Sequence, residues 1–304
     1  MRSASLIATW LVGAAHAYDN GVSRLPPMGW NTWCTYGDCA QSFEPHPDPN
    51  HDICNAAEII SVANAMAANG MKPLGWQYIN LDDCWTAINR SAFGGIQADP
   101  ARFPDGLGPV ISHVHSLGLK FGLYTSAGDT TCNPHGHPAG TWPRHGSLGH
   151  YKEDTATFAA WGVDYVKIDW CGEKGGHDAE TLHSNFSKWL NATGRPIHLE
   201  LCRGYTTGPG KISSYVSEVA QSWRVAGDNR DDWEGGTSRT IESFVNNSKL
   251  GGPFGWNYGD FLTTGGAGCS AVPPSTATGP YLHCPGQSLA EYRTQFSVYA
   301  LAVQ

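Results

Sequence analysis

Short apolar and aromatic runs recur along the chain, and several end in carboxylates. Asp164 to Cys171 reads DYVKIDWC, which sets Lys167 and Asp169 two residues apart on one strand face. The design returns in QYINLDDCW (Gln77 to Trp85), SWRVAGD (Ser222 to Asp228) and PFGWNYGD (Pro253 to Asp260). Runs of this kind predict strands over 28–33, 78–82, 120–125, 165–169, 197–201, 223–225 and 254–257. Longer patterns between them predict helices over 55–69, 108–117, 151–161, 178–190, 211–220, 237–247 and 288–303. Glycine follows four of these helices at Asn69-Gly70, Leu117-Gly118, Trp161-Gly162 and Thr193-Gly194, where a left-handed cap is wanted. Strands that alternate with helices imply parallel pairing, and seven strands are one short of a closed barrel. Two stretches break the rhythm as long loops, 34–54 (rich in Pro, Asp and His) and 263–286 (rich in Gly, Pro, Ser and Thr). No other repeat and no interdomain linker is visible.

In a parallel barrel the loops that follow the strands share one face, so polar residues at strand C-termini meet over one pocket. Asp82, Asp83, Lys167, Asp169, Arg203, Arg224, Asp228 and Asp260 all fall at or just past predicted strand ends. A single aspartate after a strand is ordinarily the cap of the next helix. Four of them in successive βα units favour the pocket, and paired carboxylates favour glycosidic hydrolysis. That reaction needs one carboxylate to attack or to activate water and one carboxylic acid to protonate the departing oxygen. Asp169 and Asp228 can divide the work, and the residues alone do not say which does which. Lys167 favours an ionised nucleophile at Asp169, whereas an acid needs partial burial or nearby negative charge to hold its proton.

Asp82 and Asp83 are consecutive, so a regular strand would aim them at opposite faces. A turning backbone at the strand end lets both accept from a sugar's hydroxyls, the other reading being one binder and one structural residue. Trp30, Trp33, Trp85, Tyr124, Trp170 and Trp256 lie near the same ends, and platform and core packing are both open to them. His135 and His137 beside Cys132, and His145 and His150, show no zinc spacing, so no metal and no cofactor is assigned. G-x-S-x-G, P-loop and helix-opening G-x-G-x-x-G patterns are missing, which sets aside the hydrolase, kinase and dinucleotide alternatives they mark.

Composition agrees with this picture and adds a compartment. Twelve Trp, twelve Tyr and 37 Gly against 15% charged residues give much ring surface and many turns. Residues 1–17 read as a signal peptide: Arg2, an apolar run from Leu6 to Ala15, then Ala15-His16-Ala17 as a cleavage site. Residues 18–304 would then be one catalytic barrel. Removing Arg2 takes the formal charge from -8 to -9, which disfavours nucleic acid and anionic membrane as partners. Nine cysteines suit an oxidising compartment, and Asn89, Asn185, Asn191 and Asn246 each open an N-x-S/T sequon. Secretion is the expected localisation, with lysosome or vacuole as alternatives, and a homo-oligomer is left open.

Taken together, LPPMGWNTW (Leu25 to Trp33), YINLDDCW (Tyr78 to Trp85), QADPARFPDG (Gln97 to Gly106), LKFGLYTSAGDTTC (Leu119 to Cys132), WGVDYVKIDWC (Trp161 to Cys171) and WRVAGD (Trp223 to Asp228) closely resemble glycoside hydrolase family 27. That family holds the α-galactosidases and α-N-acetylgalactosaminidases. The resemblance implies a (β/α)8 TIM barrel and a retaining exo-hydrolysis of terminal α-D-galactosyl residues from oligosaccharides or glycoconjugates. It makes Asp169, in K-x-D, the nucleophile and Asp228, in W-R-x-x-x-D, the acid/base. Asp82 and Asp83 would bind the 4- and 6-hydroxyls, with Trp33, Tyr124, Lys167 and Arg224 lining the pocket. Cys132 would bridge to Cys171, and Cys84 to Cys39.

Three departures bear on specificity and extent. WNYGD (Trp256 to Asp260) stands where the family commonly has W-N-D-P-D, which loosens the role of Asp260. Cys202-Arg203-Gly204 replaces C-E-W, so Arg203 would meet the sugar's 2-position. β-L-Arabinopyranosidase, α-N-acetylgalactosaminidase and galactose binding without turnover are the alternative readings. The chain also stops short of the family's eighth strand and C-terminal antiparallel β domain, so the barrel is expected to be truncated. Cys202 is the expected unpaired thiol, leaving Cys34 to pair with Cys54 and Cys269 with Cys284.

Overall fold

The computed structural model describes residues 18–33, 54–132, 144–204, 212–229, 231–262 and 287–302. Seven strands form one sheet in chain order: β1 (Met28–Asn31), β2 (Trp76–Asn80), β3 (Lys120–Ser126), β4 (Tyr165–Asp169), β5 (His198–Leu201), β6 (Ser222–Arg224) and β7 (Trp256–Tyr258). Every neighbouring pair is parallel. Helices cross between them: α1 (Ala56–Ala68), α2 (Gly108–Ser116), α3 (Tyr151–Trp161), α4 (Ala179–Ala192), α5 (Val216–Val219) and α6 (Arg239–Asn247), with α7 (Leu289–Ala302) last. A parallel sheet of successive βα units in this order is the wall of a TIM barrel. Among the described residues no helix is long and apolar enough to cross a membrane.

Local chemistry explains most boundaries. Asn55 and Asp178 cap α1 and α4 by accepting from the backbone N–H of Glu58 (3.0 Å) and Thr181 (2.8 Å). The glycines expected to stop helices, Gly70, Gly118, Gly162 and Gly194, all have φ between 68° and 88°. One helix is much shorter than predicted. The start of the predicted helix is tied elsewhere: the Ile212 N–H donates to Asn247 Oδ1, so α5 only begins after the turn at Ser214 and Tyr215. Before α6 the chain makes a wide π-helical turn, Trp233–Ser238, capped by Asp232.

Side chains on the strands segregate by a period of two. Ile79, Leu81, Phe121, Leu123, Val166, Ile168, Leu199, Leu201, Trp223 and Val225 belong to the continuous apolar core shared with the helices. The alternate positions carry Asn80, Asp82, Tyr124, Lys167, Asp169, Glu200 and Arg224. They form the barrel interior, in register as Tyr124–Lys167–Glu200 and Ser126–Asp169 across β3, β4 and β5. At the N-terminal end of the strands His198 is held by neutral partners, with Lys120 as the nearby charge. Tyr165 stacks on His198 with centroids 4.5 Å apart, and His198 bonds Ser23 Oγ through Nδ1 (2.5 Å) and Ser222 Oγ through Nε2 (2.7 Å). The arm before β1 closes this end, since the Ser23 carbonyl accepts from Trp256 Nε1 at 2.8 Å and the Ile197 carbonyl from Asn20 Nδ2 at 2.9 Å.

Candidate active site

At the opposite end the strands deliver charge. Asp169 ends β4 partly exposed, two hydrogen bonds hold its carboxylate and a disulfide sulfur lies against it. Oδ2 accepts from the Tyr124 hydroxyl at 2.8 Å, Oδ1 accepts from the Trp170 N–H at 2.8 Å, and Cys132 Sγ touches Oδ2 at 2.9 Å. Burial pushes its pKa up, but Lys167, Arg224, the Cys202 thiol and the Trp170 N–H outweigh burial and bring it below the ordinary value. Asp169 is therefore an ionised, oriented carboxylate.

Lys167 is buried and its Nζ lies 2.9 Å from Asp82 Oδ2. Burial opposes its charge, yet Asp82, Cys202, Asp169 and Asp260 raise its pKa, so it stays cationic. Asp82 is raised from its ordinary value, by burial foremost, with Lys167 pulling the other way. Its Oδ1 accepts from the Asp83 N–H at 2.9 Å, and both aspartates are buried, at 2% and 3% exposure. The turning backbone brings both carboxylates into the field of Tyr124. Tyr124, 1% exposed, lies within the field of Asp169, Asp83 and Asp82, which together with burial holds its hydroxyl protonated.

Arg224 couples the remaining acids. It is buried on β6, with NH2 2.7 Å from Asp228 Oδ1 and NH1 3.4 Å from Asp260 Oδ2. Asp228 differs from expectation, because its side chain is 84% exposed and ion-paired rather than partly buried among negative charge. Asp260 is buried with φ 71°, and Oδ2 also accepts from the Asn229 N–H at 2.7 Å. Gly259 before it allows the turn, since a Cβ there would meet Phe244 and Thr240 at 2.7 Å. Asp260 thus anchors Arg224 and the loop bearing Asp228. Arg203 packs its guanidinium over the Trp170 ring, 5.6 Å from the centroid. Trp33 follows β1, partly buried, with its N–H donating to Asn31 Oδ1 at 2.7 Å.

The aromatic platform narrows. Trp85 is fully buried, with Nε1 bonded to the Tyr124 carbonyl, and Trp256 is 5% exposed, so both pack the interior. Trp30 and Trp170 both pack against the apolar core, Tyr124 reaches Asp169 through its hydroxyl, and Trp170 also carries Arg203 on its ring.

Two disulfides frame it. Cys132 is bonded to Cys171, as the resemblance implied, and this clamps the loop after β3 onto the residue two beyond Asp169. Gly128 makes room for that approach, because a Cβ there would lie 1.9 Å from the Cys171 carbonyl. The expected Cys39–Cys84 bridge is not formed: Cys84 is bonded to Cys54. The segment before α1 is drawn to the end of β2 by the 102-region, where the Ala56 N–H donates to the Arg102 carbonyl, and Arg102 NH1 donates to the Cys54 carbonyl. This also excludes Cys34–Cys54. Cys34, Cys39, Cys269 and Cys284 lie outside the described residues, as do His135, His137, the expected loop 263–286 and the expected signal segment. Cys202 is a free, buried thiol, as anticipated. The one cluster with metal-ligand potential among the described residues is Cys132, Asp169 and Cys171, and its sulfurs are committed to each other.

Sequence reasoning missed Glu200, Tyr165 and the contact of Cys202 with Asp169. The signal was in His198-Leu199-Glu200-Leu201-Cys202, where period-two alternation puts Glu200 and Cys202 inside.

A family model described as alpha galactosidase A (Melibiase_2) matches residues 25–277, which include every site residue named above. The chain belongs to the alpha-galactosidase A family. An alpha-galactosidase of Cyamopsis tetragonoloba is 35% identical over 93% of this chain. Alpha-galactosidase I of Mortierella vinacea superposes with a TM-score of 0.74 at 29% identity, covering 93% of this chain and 66% of that one. The Saccharomyces cerevisiae enzyme solved with raffinose gives 0.65 at 26%, covering 93% and 65%. This chain spans 58% of the length of the Cyamopsis relative.

Proposed function

We propose that the chain acts as a secreted retaining exo-glycosidase on terminal α-D-galactosyl residues of oligosaccharides or glycoconjugates. The observation that carries the reading is Asp169: an ionised carboxylate at a strand end, gripped by Tyr124 and flanked by Lys167 and Arg224. Its charge is what attack on an anomeric carbon needs, and the cations that hold it ionised also steady the site as charge redistributes. Asp228 supplies the proton to the leaving oxygen. To do so it releases Arg224 and is covered by substrate, which provides the desolvation a proton donor requires. The carboxyl separation expected for retention is about 5–5.5 Å. Asp82 and Asp83, with Trp33 and Trp170, receive the sugar ring, and Arg203 stands beside it. The raffinose bound by the yeast relative is a galactosyl sugar of this class. Export is supported by the N-terminal pattern, by two disulfides and by the exposure of all four sequon asparagines.

The test is hydrolysis of aryl glycosides by residues 18–304. Asp169→Asn is expected to lower kcat/KM on an aryl α-galactoside by at least about 10³-fold with the fold intact. Turnover that survives the substitution rejects the assignment. Proton NMR of the first-formed sugar should show α-galactose, and β-galactose would refute retention. Faster release from a β-L-arabinopyranoside or an α-N-acetylgalactosaminide than from the galactoside would move the specificity to that sugar.

A further inference from the structure

Glu200 lies inside the barrel, 3% exposed, beside the Lys167 end of the site. It is in register with Lys167 on β4 and Ser222 on β6. Oε2 is hydrogen-bonded to the Tyr165 hydroxyl, and Oε1 is buried without a protein partner. The groups around it are Asp82 after β2, Tyr165 and Lys167 on β4, His198 and Cys202 on or beside its own strand, Arg224 on β6, Tyr258 on β7 and Asp260 beyond it. Interior charge limits what Glu200 can be. Lys167 and Arg224 are two cations facing Asp82, Asp169 and Asp260, and Arg224 also holds Asp228. Among the described residues Arg224 is the cation that acts on Glu200, and it is already engaged by Asp228 and Asp260, so a further carboxylate here would be poorly compensated.

We propose that Glu200 is a positioning residue that works as the neutral acid, leaving Arg224 to the carboxylates above it, and that its ionisation at alkaline pH draws Arg224 down and disables the site. Burial, then Asp260 and Asp82, push its carboxyl well above the ordinary value, in the same direction. Ionisation releases one proton to solvent and leaves one negative charge beneath Arg224. Glu200 touches no substrate. This rests on the galactosidase reading, which the experiment separates from it.

Glu200→Gln is the isostere of the neutral acid, keeping an acceptor for Tyr165 while losing the titration. Two readings are compared between about pH 5 and about pH 9. Infrared difference spectra should contain the carbonyl band of a buried carboxylic acid at neutral pH in the parent and lack it in the variant. The ratio of kcat/KM, variant over parent, should climb by about tenfold per pH unit above the parent's alkaline limb. A band that persists in the variant, or an alkaline limb common to both proteins, overturns the proposal. Should neither protein turn over any aryl glycoside, the galactosidase reading falls. Affinity for a cationic iminosugar of galactose configuration, measured by calorimetry over the same range, then replaces the rate, and an affinity ratio flat with pH overturns the role of Glu200.

Discussion

The two ends of the strands use the same inward positions for opposite purposes. On β4 alone, Tyr165 stacks on His198 at the lower end, while Lys167 and Asp169 carry opposite charges at the upper end. In the lower layer His198 is satisfied by the neutral hydroxyls of Ser23 and Ser222 and stacks on Tyr165, and the arm before β1 seals it. The upper layer leaves carboxylates facing cations, with Asp169 partly exposed. Neutral networks hold a shape; ionised ones hold a shape and a reagent. The lower end should therefore govern stability with little effect per folded molecule on chemistry, and the upper end should govern both.

The hardest break in that contrast is Lys167→Met. It leaves Asp82 and Asp169 without the cation that compensates their burial, and removing one partner of a buried pair costs about 3–5 kcal/mol. Urea unfolding should register that loss, and kcat/KM should fall by at least about 10³-fold as Asp169 loses its bias toward the ionised form. Full stability in the variant would mean that the pair is not formed in solution. Next in size is Cys132→Ser with Cys171→Ser. This opens a loop closed across a separation of 39 residues and should lower stability by about 2–4 kcal/mol. It also frees the loop that carries the Cys132 N–H onto the Tyr124 hydroxyl, so turnover should fall with it.

The sequence made the upper layer more legible than the lower. Strand ends announce themselves, because a carboxylate or cation breaking an apolar run is rare and marks a place where water or substrate must enter. Asp82, Lys167, Asp169 and Arg224 were readable on that ground, and β4 was bounded to the residue. Glu200 was not, since a buried acid inside a strand announces nothing until its neighbours are known. Disulfide partners were legible only where the resemblance carried them; Cys84 pairs with Cys54 because the 102-region pulls the start of α1 inward, a tertiary contact with no local trace. α5 was overcalled for a similar reason, its predicted first turn being held by Asn247 from α6. The exposure of Asp228 was equally hidden, for a loop residue's burial depends on what packs over it.

The lower layer can be probed by acid. Burial, followed by the Lys120 charge, holds His198 at about 3, and burial with the Arg203 charge holds His183 at about 3, against an ordinary value of 6.5. Between those values the unfolded chain binds a proton at each position and the folded chain does not. Stability is then complete above the unfolded pKa and declines as pH falls from about 6.5 toward about 3, by up to about 1.4 kcal/mol per pH unit for each histidine. Urea midpoints measured at several pH values give the slope, and His198→Gln should remove the share that belongs to the lower layer. A slope unchanged by that substitution would show that His198 is protonated or open to water in the folded protein.

The smallest expected effect sharpens the contrast most, because it alters one hydrogen bond within the upper layer and no charge. Tyr124→Phe deletes the donor to Asp169 Oδ2 and leaves the ring, the Lys167 contact above it and the Trp85 bond to its carbonyl in place. The buried hydroxyl also accepts from the Cys132 N–H at 3.3 Å, and that bond is lost with it. A hydrogen bond to a charged acceptor contributes about 1.5–3 kcal/mol, and Lys167, Arg224 and the Trp170 N–H still hold Asp169 ionised. A fall of about tenfold in kcat/KM, or about 1.4 kcal/mol, is expected, with a stability loss of about 1.5–3 kcal/mol. A loss as large as that of Lys167→Met would mean that orientation by Tyr124, rather than the charge supplied by Lys167, governs the nucleophile.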